Sequence, residues 1–229
     1  MCLHIVAVNK MFNNNKIYKV TKEGKKKRVF FISGLKVSFK GKNATVIIHE
    51  PYIKFKKCKF ILGENSTIEI QGSMHASNRL FVDMNTKNSK CLIGKNFSSS
   101  KNCNFLIYVE PNLKIVIGDE CMFGEDVTLR TSDAHRIYNN KNEIINKGKD
   151  ILIKNHCWLA TGVTILKGVT IEENSVVAAK SVVTKNLEFK NSIYAGVPCV
   201  LKKQGINWDR KSPNDFISQY EPKTKELEL

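Results

Sequence analysis

Five histidines (His4, His49, His75, His135, His156) and seven cysteines (Cys2, Cys58, Cys91, Cys103, Cys121, Cys157, Cys199) are the side chains of this sequence best suited to metal, redox or proton-transfer chemistry. The cysteine count is odd and no CxxC pair occurs, which argues against a zinc ribbon and a disulfide framework and fits a reducing compartment. A three-histidine zinc site needs its ligands to converge in space, and these histidines show no tight pair in sequence. General-base work remains, because an imidazole can accept a hydroxyl proton and return it near neutral pH. His135 is the candidate for that role because of its place in the surrounding pattern.

From Ile153 the sequence divides into sixes: IKNHCW, LATGVT, ILKGVT, IEENSV and VAAKSV, with Val183 opening the next. Aliphatic residues lead each block (Ile153, Leu159, Ile165, Ile171, Val177), and the fifth positions are small or β-branched (Cys157, Val163, Val169, Ser175, Ser181). A period of six fits neither an α-helix nor a plain amphipathic strand, but it suits a short strand and a corner repeated as the side of a triangular coil. Three sixes make an 18-residue turn that must stack on its neighbours to bury its edge, which predicts a parallel β-helix. The register recurs in IGDECM, FGEDVT and LRTSDA, led by Ile117, Phe123 and Leu129. Cys103, Cys121 and Cys157 then fall at multiples of 18 in one inward column, where a small apolar thiol packs well and needs no chemistry. FKGKNA at 39, LGENST at 62 and IGKNFS at 93 read as corners at irregular spacing, so distorted or loop-bearing coils are expected up to about residue 92.

The hexads stop at SDAH and RIYNNKNEIINKGKD comes next, rich in Asn and Lys with one Gly, which predicts a loop over about 136 to 152 with His135 at its root. Such an interruption can build one wall of a pocket while the coils stay rigid. On spacing alone His135 is also readable as a corner histidine bonded to backbone. Asp133, at an inward hexad position, and Glu143, in the loop, are equal candidates to orient its imidazole.

The expected organisation is an N-terminal appendage over 1–30 carrying the cluster Lys22 to Arg28, a β-helix over 31–203, and a polar C-terminal tail over 204–229. Apolar residues at 42% and charged residues at 25% are those of a packed globular protein. The net charge of +16 would suit a polyanionic partner, or would follow from lysine filling solvent positions. Ile5 to Val8 is too short for a signal-peptide core, and no run approaches the ~20 apolar residues of a membrane span. A cytoplasmic location is expected.

The segments SDAHRIYN, INKGKD, ILIKNHCWLATGVTILKGVTIEENSVVAAKSVVTK, IYAGVPCVLKK and INWDRK, within residues 92 to 211, resemble in order and spacing the hexapeptide-repeat O-acetyltransferases. That family includes galactoside and maltose enzymes and, more similar still, bacterial polysialic acid capsule O-acetyltransferases. The resemblance implies a left-handed β-helix, acetyl-CoA as co-substrate with no metal, and His135 as the base in a direct transfer within a ternary complex. It also implies Trp158 at the active site, where an indole N–H can donate to reacting groups. Acetyl-CoA would lie in a groove between two subunits of a homotrimer, against Thr161, Ala179, Thr184 and Lys185, with Lys203 near the nucleotide phosphates. The acceptor would be a capsular polysaccharide or sialic acid polymer, not nucleic acid. Two departures touch the cofactor groove: Ala160 stands where many members have Gly, and Val200 where galactoside enzymes have Arg. Amino-sugar N-acetylation and a non-catalytic, glycan-binding β-helix remain the alternatives.

Overall fold

The computed structural model describes residues 13–211; Cys2 and His4 lie outside them, as do the ends of both expected appendages. The described chain winds as a three-sided parallel β-helix whose faces are extended sheets. The first face stacks Lys16–Val20, Thr45–His49, Thr67–Ile70, Lys90–Ile93, Lys114–Ile117, Ile151–Ile153 and Thr170–Ile171, with Lys26–Val29 antiparallel at its outer edge. The second runs from Lys54–Lys56 through Ala76–Asn78, Ser98–Ser99, Met122–Phe123, Trp158–Leu159 and Val176–Val177 to the hairpin Ser192–Ala195 and Val200–Gln204. The third stacks Leu35–Phe39, Cys58–Leu62, Phe81–Met84, Asn104–Leu106, Thr128–Arg130, Thr164–Ile165 and Val182–Val183. No helix of the described residues is long and apolar enough to cross a membrane.

The hexad leaders and fifth positions point inward as expected: Ile153, Leu159, Ile165, Cys157, Val163 and Ser175 are all buried. The core is a narrow aliphatic column, thickened by Phe97, Phe105 and Phe123, which meet edge to face with centroids 5.1 to 6.3 Å apart.

Coil length differs along the axis. Ile153 faces Ile171 after 18 residues, but Thr67 faces Thr45 after 22 and Lys114 faces Lys90 after 24. The early coils are therefore longer, and the first carries the expected excursion: Lys16 faces Thr45 only after 29 residues, with Lys26–Val29 turned back between them. Part of the uneven sequence spacing arose from mixing faces: Leu62 and Phe39 pair on the third face, whereas Ile93 ends a first-face strand. The same lengthening corrects the cysteine column. Cys121 and Cys157 precede strands paired on the second face, but Cys103 precedes a third-face strand, one corner away. Burial pushes the Cys91 and Cys103 thiols up to about 12, which keeps them protonated and inert.

The expected appendage boundaries also shift. Lys16–Val20, inside residues 1–30, pairs in parallel with Thr45–His49, and Ile17 is buried, so the β-helix begins there. Beyond 203 the chain folds back along the corner between the first and second faces. Trp208 Nε1 donates to the His156 carbonyl at 2.9 Å, and the Arg210 guanidinium donates to Ser98 Oγ at 2.6 Å and to the carbonyls of Asn96 and Cys121 at 2.8 Å. The residues of NWDRK thus strap several coils together.

Corners are made by residues in the left-handed region, and Asn is the side chain most tolerant of it after Gly. On the corner between the third and first faces, Asn14, Asn43, Asn65, Asn88 and Asn112 have φ of 53° to 63°. Each Nδ2 donates to the next Oδ1 at 3.0 to 3.2 Å, a ladder running up the corner. In the coil after Asn112, this same corner is replaced by the loop that carries His135.

Candidate functional site

After Thr128–Arg130 the chain leaves the coil through buried Thr131 and Ser132. It forms a small hairpin in which Tyr138 bridges Ile144 and Ile145 N–H donates to the Ile137 carbonyl at 3.0 Å. The return is pinned where Lys149 N–H donates to the Thr131 carbonyl at 2.9 Å and Asp150 accepts from Lys114 N–H at 2.9 Å. Ile151–Ile153 is again a first-face strand, so the loop closes just short of the expected residue 152. Gly148 lies in close approach: a Cβ there would stand 2.6 Å from Leu113 Cδ1 and 3.0 Å from the Thr131 carbonyl, so a larger residue would have to displace the Leu113 side chain.

His135 is exposed at the root of this loop. It lines a cleft of about 310 Å³ with Val109, Glu110, Pro111, Arg136 and Asn146. The backbone before it is fixed by Ala134, at φ 69°, whose N–H donates to Ser132 Oγ at 3.2 Å. The backbone at and after it is fixed by Asn146. The Asn146 Nδ2 donates to the His135 carbonyl at 2.8 Å and to Asp133 Oδ2 at 2.9 Å, while its Oδ1 accepts from Ile137 N–H at 2.8 Å. Lys167, from the coil above, donates to the Asp133 carboxylate and to the Asn146 carbonyl, the latter at 2.8 Å. Glu110 accepts from Ser132 Oγ at 2.6 Å and Gly148 N–H at 2.8 Å, bridging the outgoing and returning strands of the loop.

These contacts revise both candidates for orienting the imidazole. Asp133 points outward rather than into the core, because the hexad register is already lost at Ser132. Its carboxylate is held below the usual range, chiefly by Lys167 and then by Asn146. Glu143 is engaged by Asn139 Nδ2 at 2.8 Å within the hairpin. Neither carboxylate is bonded to the His135 ring among the described residues. Glu110, the one carboxylate lining the cleft, is likewise held low, first by Ser132.

Trp158 lies on the second face, half-buried, with its ring 5.9 Å from that of Trp208, and it does not line the His135 cleft. Thr161 and Ala179 come just after successive second-face strands and stack on the corner leading to the third face, where Lys180 N–H donates to the Thr161 carbonyl at 2.9 Å. Thr184 and Lys185 leave the third face at its opposite edge, and Lys203 sits on the terminal hairpin opposite Ile193. All five are exposed. One chain therefore places His135 at one edge of the third face and Trp158, Thr161 and Ala179 at or beyond the other. His156 is a corner residue at φ 54°, its Nδ1 2.9 Å from Asn174 Oδ1 and its ring stacked on Trp208 at 4.3 Å. Among the described residues no three His, Cys, Asp or Glu side chains converge as a metal site.

Asn146, Lys167 and Glu110 were not singled out from sequence. Lys167 is 34 residues from Asp133, and only the length of the interrupted coil, unknown until the loop is folded, brings the two together.

Residues 150–185 match the family described as bacterial transferase hexapeptide (six repeats). A putative colanic acid biosynthesis acetyltransferase of Escherichia coli K12 is 32% identical, over 44% of this chain and 67% of that protein. A polysialic acid O-acetyltransferase of Neisseria meningitidis is 46% identical, over 43% of this chain and 46% of its own length. The crystal structure of a polysialic-acid-specific acetyltransferase, NeuO, superposes with a TM-score of 0.72 at 27% identity, covering 91% of this chain and 84% of that one. These likenesses identify the coil as the left-handed β-helix of hexapeptide-repeat transferases. The chain spans about half the length of the first curated relatives it matches, between 42% and 58%.

Proposed function

Because the chain belongs to the hexapeptide-repeat acetyltransferase family, we propose that it transfers an acetyl group from acetyl-CoA to a hydroxyl of a cell-surface polysaccharide sugar, with His135 as general base. The observation that carries this reading is the root of the loop. The one large break in the C-terminal coils is clamped by Asn146, Lys167 and Glu110 so that His135 faces a cleft of about 310 Å³. In the proposed reaction the imidazole takes the hydroxyl proton as the sugar oxygen attacks the thioester carbonyl. The C–S bond then breaks and the proton passes to the departing thiolate. Oxygen and sulfur exchange the acetyl group directly, and no acyl-enzyme is required.

The separation of His135 from Trp158 and Thr161 across the third face supports a site built between two subunits, hence a homotrimer. Thr161 and Ala179 are small and exposed, which leaves their backbone open to a pantetheine arm, and the exposed ammonium groups of Lys185 and Lys203 suit the nucleotide phosphates. An acetyl-CoA donor agrees with a cytoplasmic site of action. The relatives named for polysialic acid support an acidic polysaccharide as acceptor.

The test is acetyl-CoA consumption across a panel of capsular and lipopolysaccharide sugars, followed by location of the new acyl bond. His135→Ala is expected to lose ~10²- to 10⁴-fold in kcat while melting as the wild type. Retained activity removes His135 from the role, and an amide product on an amino sugar replaces O-transfer by N-transfer.

A further inference from the structure

The charge of this protein is segregated. Residues 13–59 hold 14 Lys and Arg against 2 acidic residues, Glu23 and Glu50, whereas residues 60–211 hold 20 against 15. Lysine merely filling solvent positions would be spread along the whole prism. Instead most of the net +16 sits at the N-terminal end, where all three faces present the outermost strands of the described residues. Lys26, Lys27 and Arg28 lie on the outer edge of the first face, and Lys54 and Lys56 on that of the second; all are exposed.

Charged edge strands discourage pairing with other chains, which accounts for the lysines but not for the two aromatic residues beside them. Phe30 and Phe31 leave the basic edge 64% and 79% exposed, on a turn anchored by buried Ile32, whose carbonyl accepts from Leu35 N–H at 3.1 Å. The Arg28 guanidinium lies 6.0 Å from the Phe30 ring. Two adjacent exposed aromatic rings inside a field of lysines match the chemistry of a membrane surface, with an apolar layer beneath anionic headgroups.

We propose that the N-terminal end of the β-helix docks on an anionic lipid bilayer, with Phe30 and Phe31 entering the headgroup boundary and Lys25 to Arg28, Lys54 and Lys56 facing the lipid phosphates. A soluble polyanionic chain fits less well. It offers no apolar phase for the two rings, and the basic excess falls from 14 against 2 in residues 13–59 to 20 against 15 in residues 60–211, so the strong basic field does not continue along the chain. That cleft stands four strand spacings up the axis, roughly 20 Å above the docked end, within reach of a glycan still carried on a membrane lipid. The docking itself is independent of the acetyl-transfer reading.

The test is co-sedimentation of the full chain with phosphatidylcholine vesicles, with and without phosphatidylglycerol. The protein is expected to pellet only with the anionic vesicles, and less so as salt is added. Lys25→Gln/Lys26→Gln/Lys27→Gln should weaken binding about 100-fold, at about fivefold per lysine. Phe30→Ser/Phe31→Ser should weaken it roughly tenfold, with soluble polysialic acid binding unchanged and both variants melting as the wild type. Absence of wild-type pelleting, or pelleting of the phenylalanine variant equal to the wild type, overturns the proposal. If the wild type ignores vesicles but binds soluble polysialic acid through these lysines, the occupant is the glycan and membrane docking is refuted.

Discussion

Asn146 spends one side-chain amide on three groups, the His135 carbonyl, the Asp133 carboxylate and the Ile137 N–H. It positions the base without touching its ring. Asn146→Ala is expected to lower kcat/KM by about 10- to 100-fold through displacement of the loop root, with far-UV circular dichroism unchanged. Asn146→Asp should not rescue it, because a second carboxylate would then face Asp133. The Asp133 and Glu110 carboxyls are both held below their usual range. A carboxyl with a folded pKa below its unfolded value stabilises the fold fully above the unfolded value and loses that contribution as pH falls through the folded one. Proteolytic cleavage within 136–150 should therefore stay flat from pH 8 to 5 and rise below about pH 4. An equal rise near pH 6 would point to other groups.

At the scale of elements, the asparagine corner combines a backbone requirement with a side-chain one. Asn65 sits at φ 53° and its amide links Asn43 to Asn88. Asn65→Ala should cost about 2–3 kcal/mol, combining left-handed strain with lost hydrogen bonds, and Asn65→Gly clearly less. Urea unfolding midpoints measure both, and equal losses would show that the ladder, not the backbone, dominates. The loop emerges at this same corner, between Thr128–Arg130 and Ile151–Ile153, and the strands on either side stay paired with their neighbours.

At the scale of the whole molecule, His135 stands at one edge of the third face and Trp158 lies on the second face beyond the other edge, so the proposed site would have to combine residues of two copies. Co-expressed His135→Ala and Trp158→Ala chains, each inactive alone, should assemble mixed trimers in which some sites combine an intact His135 with an intact Trp158. Recovered acetyl transfer above either single variant is the expected result; no recovery would confine the site to one chain or remove Trp158 from it. The N-terminal strand Lys16–Val20 extends the stacked coils beyond the expected boundary, and Trp208 and Arg210 tie residues beyond 203 back onto the middle coils, so the cleft is carried on one continuous prism.

The hexads alone determined the coil, its inward residues and the break at His135, because a period of six constrains every residue locally. Spacing also made Cys121 and Cys157 neighbours. Tertiary structure decided the rest, for one physical reason: stacking pairs residues by coil, and coil length is not constant. Coils of 22 to 24 residues moved Cys103 to another corner, and the 36-residue step from Ile115 to Ile151 brought Lys167 onto Asp133. Loss of the hexad register at Ser132 turned Asp133 outward and left the hold on His135 to Asn146. The basic run Lys22 to Arg28 was visible in the sequence, but only the stacking order of the strands set it at the N-terminal end of the described prism beside Phe30 and Phe31.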